Sequence, residues 1–313
     1  MKKYLQFIIK GLVSGILLFF ICLKIDWNQF VTSFLKGNYL CIVFAMMIGV
    51  LFNIVKFTKW YFLINLEKKG YSFWDSAKSY MLGNCLGIVT PMRAGDLSRA
   101  LYFPPGARTE IMSLTVIDRL MELAVVFLLA ITGSFILINK AFGLLMMLMA
   151  LIIFFVLLKP SFSILFLQKL PVGRFISNKL KIILDLYDSL DHKTLAGCLV
   201  LSFFAFILVI FEFYVLVIAF EDISMTAIFL IAPLITISNI IPISIMGLGV
   251  REGLSIILLA NYGVSEATGL SAAFLLFLIN NISISLIGII FLSRVKIFNK
   301  SQTINDNLQK IRA

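Results

Sequence analysis

Long, uninterrupted apolar runs restrict what this sequence can fold into. A membrane-spanning helix needs about 20 mainly apolar residues, and runs such as 111–133 and 195–220 meet that length. In lipid every backbone N–H and C=O must be paired within the protein, which leaves helices or closed β-barrels. The runs lack the alternation of barrel strands. The sequence therefore predicts an all-α integral membrane protein with one polytopic domain over residues 1–313.

Two apolar segments contain helix breakers and are predicted not to cross the membrane. The short segment 76–90 ends at Pro91, and the segment 223–246 is broken by Pro233 and Pro242 before a brief helix. We expect each to form a re-entrant hairpin that enters and leaves on the same side. The uninterrupted segments are predicted to be about six transmembrane helices: 8–23, 39–56, 111–133, 141–158, 195–220 and 265–292.

Basic residues indicate the orientation of these segments. Lys and Arg concentrate in cytoplasmic loops of membrane proteins. With two re-entrant segments, the outward loops hold only Lys24, Lys36 and Lys140, while Lys56 and Lys59 count with a cytoplasmic connection. We expect both termini, including a tail at 294–313, to lie on the cytoplasmic side of the cytoplasmic (inner) membrane. The net charge of +11 then reflects topology and anionic lipid rather than nucleic acid.

The order of segments predicts an inverted repeat. The pseudo-repeats 1–134 and 135–293 each contain three crossings, with an interrupted segment before the third. Because three is odd, the halves take opposite orientations and their hairpins enter from opposite faces. Paired interrupted helices of this kind mark the substrate site in secondary transporters.

Matching polar clusters accompany the two interrupted segments. Arginine presents a planar fork of permanently protonated donors that suits phosphate. A lone arginine at a helix end is an interfacial anchor, whereas two matched clusters in broken helices favour a substrate site. The first cluster consists of Asn84, Pro91, Arg93, Gly95, Asp96 and Arg99. The second consists of Asn239, Pro242, Gly247, Gly249, Arg251, Glu252 and Gly253.

Ionisable residues also occur inside the span 111–133. Asp118 and Glu122 share one helical face, and Arg119 lies beside them. Charge at membrane depth must be paired, so these side chains are predicted to face the protein interior. Two interpretations remain open: a salt-bridge network with Arg93 or Arg251, and a substrate or proton pathway.

Three further polar residues lie within apolar runs. Glu212 has no local partner, so we expect it to be protonated or paired with an arginine of either cluster. Asn280 and Asn281, in the last span, are predicted to be interhelical hydrogen-bonding residues rather than ligands.

The sequence lacks the motifs of several known classes of enzyme. The single histidine, His192, excludes an HExxH metalloprotease, and neither a GxSxG elbow nor a P-loop is present. We expect no metal, no cofactor and no enzymatic activity. One alternative is a polytopic lipid-linked glycosyltransferase, although the first outward loop offers only Asp26 as an acid. Another is a non-transporting accessory subunit of a separate lipid or polysaccharide synthesis enzyme.

The motif PMRAGDLSRA at 91–100, an IDR triplet at 117–119 and PISIMGLGVREG at 242–253 together resemble the lysylphosphatidylglycerol synthase transmembrane-region family. These proteins are also called flippase-like domain proteins. In the full synthases such a domain moves aminoacylated lipid across the membrane, and a soluble C-terminal domain makes that lipid. Only residues 294–313 follow the last span here, so we expect this polypeptide not to aminoacylate lipid.

The resemblance implies a flippase-like transporter for an anionic (amino)phospholipid or lipid-linked sugar. Its phosphate would be held by Arg93 and Arg251. Carried onto this sequence, together with the ionisable residues above, the predicted substrate-binding residues are Arg93, Asp96, Arg99, Asp118, Arg119, Glu122, Arg251 and Glu252. The expected partner is a membrane lipid.

Overall fold

The computed structural model describes residues 37–66, 70–158, 192–238 and 249–292. The helices in these ranges are α1 (Tyr39–Ile64), α2 (Phe73–Val89), α3 (Arg108–Gly133), α4 (Lys140–Leu158), α5 (His192–Ile218), α6 (Met225–Ser238), α7 (Val250–Ala260), α8 (Glu266–Phe277) and α9 (Ser283–Leu292). Two 3₁₀ segments precede α3, Pro91–Tyr102 and Pro105–Ala107. Single π-helical turns follow α3 and α8, Ser134–Ile138 and Leu278–Ile282.

The described helices confirm an all-α, multi-pass membrane protein. Five stretches are long and apolar enough to cross a bilayer: Tyr39–Ile64, Pro105–Ile138, Lys140–Leu157, Lys193–Ile218 and Glu266–Ile290. They coincide with five of the six predicted crossings. The predicted first crossing at 8–23 and the tail at 294–313 lie outside the described residues.

Helix α1 buries two lysines that were predicted to lie in a cytoplasmic connection. The sequence placed this apolar segment at 39–56, continuing into Trp60, Tyr61 and Phe62, and counted Lys56 and Lys59 with that connection. The helix runs to Ile64 and buries both lysines. Each lysine pairs with a carboxylate of α3. Hydropathy along a single segment does not register such a partner, and for that reason both lysines were assigned to a loop.

The segment after α2 returns along α2 as a hairpin. The turn occurs at Thr90, and the 3₁₀ segment then runs antiparallel to α2, with Gly95 against Leu86. At the open end, the Tyr102 hydroxyl donates to Asp75 in the first turn of α2 at 3.0 Å. Burial, together with this hydrogen bond, raises the pKa of Tyr102 to about 12, so the hydroxyl keeps its proton at neutral pH. The two ends of the hairpin thus meet, as a re-entrant segment requires.

Gly95 allows the two arms of this hairpin to touch. A Cβ at this position would lie 2.1 Å from the backbone oxygen of Leu86, which has no rotamer with which to move away. We therefore expect Gly95→Ala to destabilise the protein by about 1–3 kcal/mol. The measurement is thermal unfolding of detergent-purified protein, with Gly106→Ala as control, since a Cβ at Gly106 meets nothing within 4 Å. Equal unfolding temperatures for the two variants would contradict this packing.

The second interrupted segment also brings two helices together. Helix α6, which contains Pro233, contacts α7, and α7 packs on α8. The Ser255 hydroxyl of α7 donates to the Gly269 carbonyl of α8 at 2.8 Å. The intervening residues 239–248, including the predicted Asn239, Pro242 and Gly247, lie outside the described residues. The inverted repeat itself stays a prediction.

Helix α3 lies at the centre of the bundle. It packs against α4, α5, α6 and the 3₁₀ segment of the first hairpin. Gly133 permits a close approach to α6, since a Cβ there would lie 2.1 Å from the Leu230 oxygen. Small residues at such crossings are typical of membrane helices. Helix α1 packs along α5, and α9 packs against α2.

Candidate functional site

A cavity of about 270 Å³ opens in the interior of the bundle. Residues from the first hairpin, from α1, α3, α5, α6, α7 and α8 and from the second π-helical turn line it. Most of the wall is apolar, with Phe52, Phe206 and Leu276 among the contributors. Its charged and amide-bearing residues are Lys56, Asn84, Arg93, Arg119, Glu122, Arg251, Asn280 and Asn281. The cavity therefore combines a cationic wall with an apolar one.

Arg93 projects from the first hairpin with an unusual backbone conformation. Its φ of 54° is the one positive value at a non-glycine residue in the described ranges. This left-handed conformation costs on the order of 1–3 kcal/mol and is concentrated at functional sites. The turn is held by Thr90, whose carbonyl accepts from the Arg93 N–H at 3.2 Å and whose hydroxyl accepts from the Gly95 N–H at 2.6 Å.

The Arg93 guanidinium is held by neutral amides as well as by an acid. It donates to the side-chain oxygen of Asn84 and, at 3.3 Å, to that of Asn281 in the π-helical turn. Its Nε lies 3.4 Å from Asp96 Oδ2, and the side chain stays 20% exposed. Two of its three described partners are uncharged, so its positive charge is only partly offset.

Arg251 occupies the first turn of α7. It donates to Glu252, and its guanidinium carbon lies 4.5 Å from the centroid of the Phe277 ring. Glu252 also accepts from the Gly249 N–H at 2.7 Å, where a φ of 82° suits glycine. The Gly253 N–H donates to the Gly249 carbonyl in the same turn. The acid thus both caps the helix and orients the arginine.

Glu122 of α3 forms salt bridges with three basic side chains at the cavity wall. Its Oε1 accepts from Lys56 and, at 2.8 Å, from Lys59. Its Oε2 accepts from Arg119 Nη1 at 2.6 Å, and the other end of Arg119 reaches Asp96. An alternating chain of charges therefore runs from Arg93 through Asp96 and Arg119 to Glu122.

Asp118 and Arg99 form a second, fully enclosed part of the network. Asp118 Oδ2 accepts from Arg99 at 2.8 Å, and its Oδ1 lies 2.6 Å from Lys59 Nζ. The Arg99 guanidinium lies between two rings, 4.6 Å from the centroid of Trp60 and 4.3 Å from that of Tyr80. Asp118 and Arg99 both have 0% exposure and do not line the described cavity. Their contacts hold the first hairpin against α3.

The ion pairs around the cavity carry an excess of positive charge. Six basic residues share four carboxylates in the described network: Lys56, Lys59, Arg93, Arg99, Arg119 and Arg251 against Asp96, Asp118, Glu122 and Glu252. Buried charge is costly unless it is compensated. An anionic group inside the cavity would supply the missing negative charge.

Glu212 interacts with an amide instead of an arginine. Its Oε2 accepts from Asn280 Nδ2 at 2.7 Å, and the residue is completely buried. Of the two alternatives predicted for Glu212, the pairing with an arginine of either cluster is not among its described contacts, because the last span places Asn280 beside it. Its protonation stays a prediction. The interhelical role predicted for Asn280 is confirmed.

The structure brings most predicted residues together but at different depths. Asn84, Arg93, Arg119, Glu122 and Arg251 line the cavity, whereas Asp96, Arg99, Asp118 and Glu252 lie behind them. Of the further motif positions, Pro91 begins the 3₁₀ segment, and Gly95, Gly249 and Gly253 shape the backbone next to the arginines.

Of the two interpretations left open for the acids in α3, the structure shows the salt-bridge network, but with different direct partners, and Arg93 joins it only through Asp96 and Arg119. The substrate or proton pathway stays a prediction. Asp118 and Glu122 do not pair with Arg93 or Arg251; their described partners are Lys59, Arg99, Lys56 and Arg119. The two lysines, Asn280 and Asn281 were not assigned to the site from the sequence. One signal was available: two acids one helical turn apart in α3 require partners, and Lys56 and Lys59 offer a matching spacing.

Comparison with known proteins supports the resemblance. Residues 7–288 match the family described as lysylphosphatidylglycerol synthase TM region. A search of curated proteins found no match. Because the family match covers most of the chain, including both interrupted segments and the residues of the cavity, this protein belongs to the lysylphosphatidylglycerol synthase transmembrane-region family.

Proposed function

We propose that this protein is a flippase-like transporter that moves an anionic (amino)phospholipid or lipid-linked sugar across the cytoplasmic membrane. Family membership indicates a membrane domain with a lipid-related function. This more specific proposal rests on one observation: Arg93 of the first hairpin and Arg251 of α7, far apart in the sequence, line one cavity. The phosphate of the lipid would lie between them.

The composition of the cavity wall supports a phosphate-bearing headgroup. Arginine binds phosphate through paired, charge-assisted hydrogen bonds, and Lys56 and Arg119 add cationic charge nearby. Amide groups of Asn84 and Asn281 offer hydrogen bonds to hydroxyl or amino groups of the headgroup. A polar path of this kind lowers the cost of taking a headgroup through hydrocarbon.

The distribution of basic residues also supports a proposed orientation of the protein in the membrane. Both termini would lie in the cytoplasm, and the two hairpins would approach the cavity from opposite faces. The protein would act on lipid made by another enzyme and would perform no covalent step itself. A separate lipid-modifying or polysaccharide enzyme is the expected functional partner.

Lipids retained during purification test the proposal first. Native mass spectrometry of the wild-type protein should show one retained class of anionic lipid. The Arg93→Ala/Arg251→Ala double variant should lose it, because both phosphate ligands are removed. The matched control is Arg108→Ala, which removes an arginine that bonds the Phe103 carbonyl away from the cavity. Identical lipids in all three proteins would contradict the proposal and favour an accessory subunit.

A further inference from the structure

Glu122 is the one acidic residue that lines the described cavity, where it lies among cations. Both of its carboxylate oxygens are used, one by Lys56 and Lys59 and the other by Arg119. Lys56 and Arg119 themselves line the cavity. The carboxylate therefore occupies a place that any anion entering the cavity would compete for.

The three cations depend on Glu122 to different degrees. Lys59 has further partners in Asp118, at 2.6 Å, and in the Ser202 hydroxyl, at 3.1 Å. Arg119 keeps its second contact to Asp96. Lys56 has Glu122 as its described ion-pair partner; its other described contacts are the rings of Phe52 and Phe206, 5.6 and 5.8 Å away. If Glu122 moved aside, Lys56 would need a new anion.

Asp118 lies on the same helix as Glu122 but differs from it in its access to the cavity. It also binds two cations, but it is fully enclosed and does not line the described cavity. An incoming anion meets the partners of Glu122, whereas Arg99 is shielded from it by Asp118, Trp60 and Tyr80. Exchange with a ligand is therefore possible at Glu122 and not at Asp118.

We propose that the Glu122 carboxylate is an internal substitute for the substrate phosphate, which a phosphodiester anion displaces from Lys56 and Arg119 on binding. This inference rests on the proposed function and adds a residue that sets affinity and charge selectivity. A transporter must release what it binds. A tethered carboxylate that returns to the same cations weakens binding and so favours release, while it keeps buried charge compensated in the empty cavity.

The test measures lipid affinity in purified protein by native mass spectrometry. Dioleoylphosphatidylglycerol is the anionic probe and dioleoylphosphatidylcholine the zwitterionic one. Glu122→Gln removes the competing charge at nearly constant shape, so we expect about tenfold tighter phosphatidylglycerol binding, equivalent to about 1.4 kcal/mol. Affinity for phosphatidylcholine should change little. Lys56→Gln should act in the opposite direction and weaken phosphatidylglycerol binding about tenfold.

A charge-matched control on α3 separates the effect of position from that of net charge. Glu110→Gln removes a carboxylate from the first turn of the helix, away from the described cavity. It should not tighten phosphatidylglycerol binding. An equal gain in this control would assign the effect to net charge and overturn the inference.

The outcomes separate this inference from the proposed function. If the wild-type protein selects phosphatidylglycerol but Glu122→Gln does not bind it more tightly, only the inference is overturned. If neither protein selects it, both are overturned. Should Glu122→Gln fail to fold, unchanged affinity in Lys56→Gln overturns the inference. The same affinity measurement with glycerol phosphate distinguishes a lipid from a soluble ligand. If Glu122→Gln tightens glycerol phosphate binding as much as lipid binding, the role of Glu122 is supported but the ligand is a soluble phosphate ester.

Discussion

Replacing both Arg93 and Arg251 with alanine should abolish lipid translocation in proteoliposomes and leave the protein folded. Each arginine lines the cavity and would donate charge-assisted hydrogen bonds to a phosphate. A hydrogen bond to a charged group contributes about 1.5–3 kcal/mol, so losing both arginines should reduce transport at least about a hundredfold. Each single alanine variant should show an intermediate loss.

Translocation can be followed with phosphatidylglycerol that carries a fluorophore quenched from the outer leaflet by dithionite. Arg108→Ala, outside the cavity, controls for the loss of an arginine. Arg93→Lys and Arg251→Lys keep the charge but lose the planar fork, so they should restore only part of the activity. Wild-type rates in the double alanine variant would refute the transport mechanism.

The second large effect concerns stability, and it arises at Arg99. This guanidinium has 0% exposure, pairs with Asp118 and is stacked between Trp60 and Tyr80. Removing one partner of a buried pair costs about 3–5 kcal/mol because the other charge is left uncompensated. We therefore expect Arg99→Ala to lower the unfolding temperature strongly or to prevent recovery of folded protein from the membrane.

A double variant distinguishes a structural role from a role in transport. Arg99→Met/Asp118→Leu replaces the pair with apolar side chains of similar size and should recover much of the lost stability, as neutral replacements of buried ion pairs do. Thermal unfolding in detergent measures both effects. If Arg99→Ala instead unfolds at the wild-type temperature and loses transport, Arg99 belongs to the substrate path, as the sequence analysis predicted.

The membrane class of the protein and much of its helix order follow from local sequence. Apolar length alone predicts the five described stretches that are long and apolar enough to cross a bilayer, since lipid imposes the same requirement on every spanning segment. Pro91 and the glycines after it predict the first hairpin, because proline and glycine interrupt helices wherever they occur. The two arginine clusters were recognisable because a charged side chain at membrane depth costs free energy unless it is paired or has a function.

Local sequence could not show which of the charged residues face the cavity. Arg93 and Arg99 lie two helical turns or less apart in the same short segment, yet one lines the cavity and the other is enclosed by Trp60, Tyr80 and Asp118. The left-handed backbone at Arg93 produces part of this difference. Such a conformation is maintained by surrounding contacts, and no local propensity predicts it for arginine.

The sequence by itself determined that this chain is a helical membrane protein with paired, arginine-bearing interruptions. Only the tertiary structure decided that Lys56 and Lys59 of α1 join Asp118 and Glu122 of α3, and that Asn281 contacts Arg93. The physical reason is the range of the interactions involved. Lipid acts on each segment separately, so its requirement can be read from local hydropathy. An ion pair between distant helices forms only after packing has brought both partners together, so local sequence does not show it.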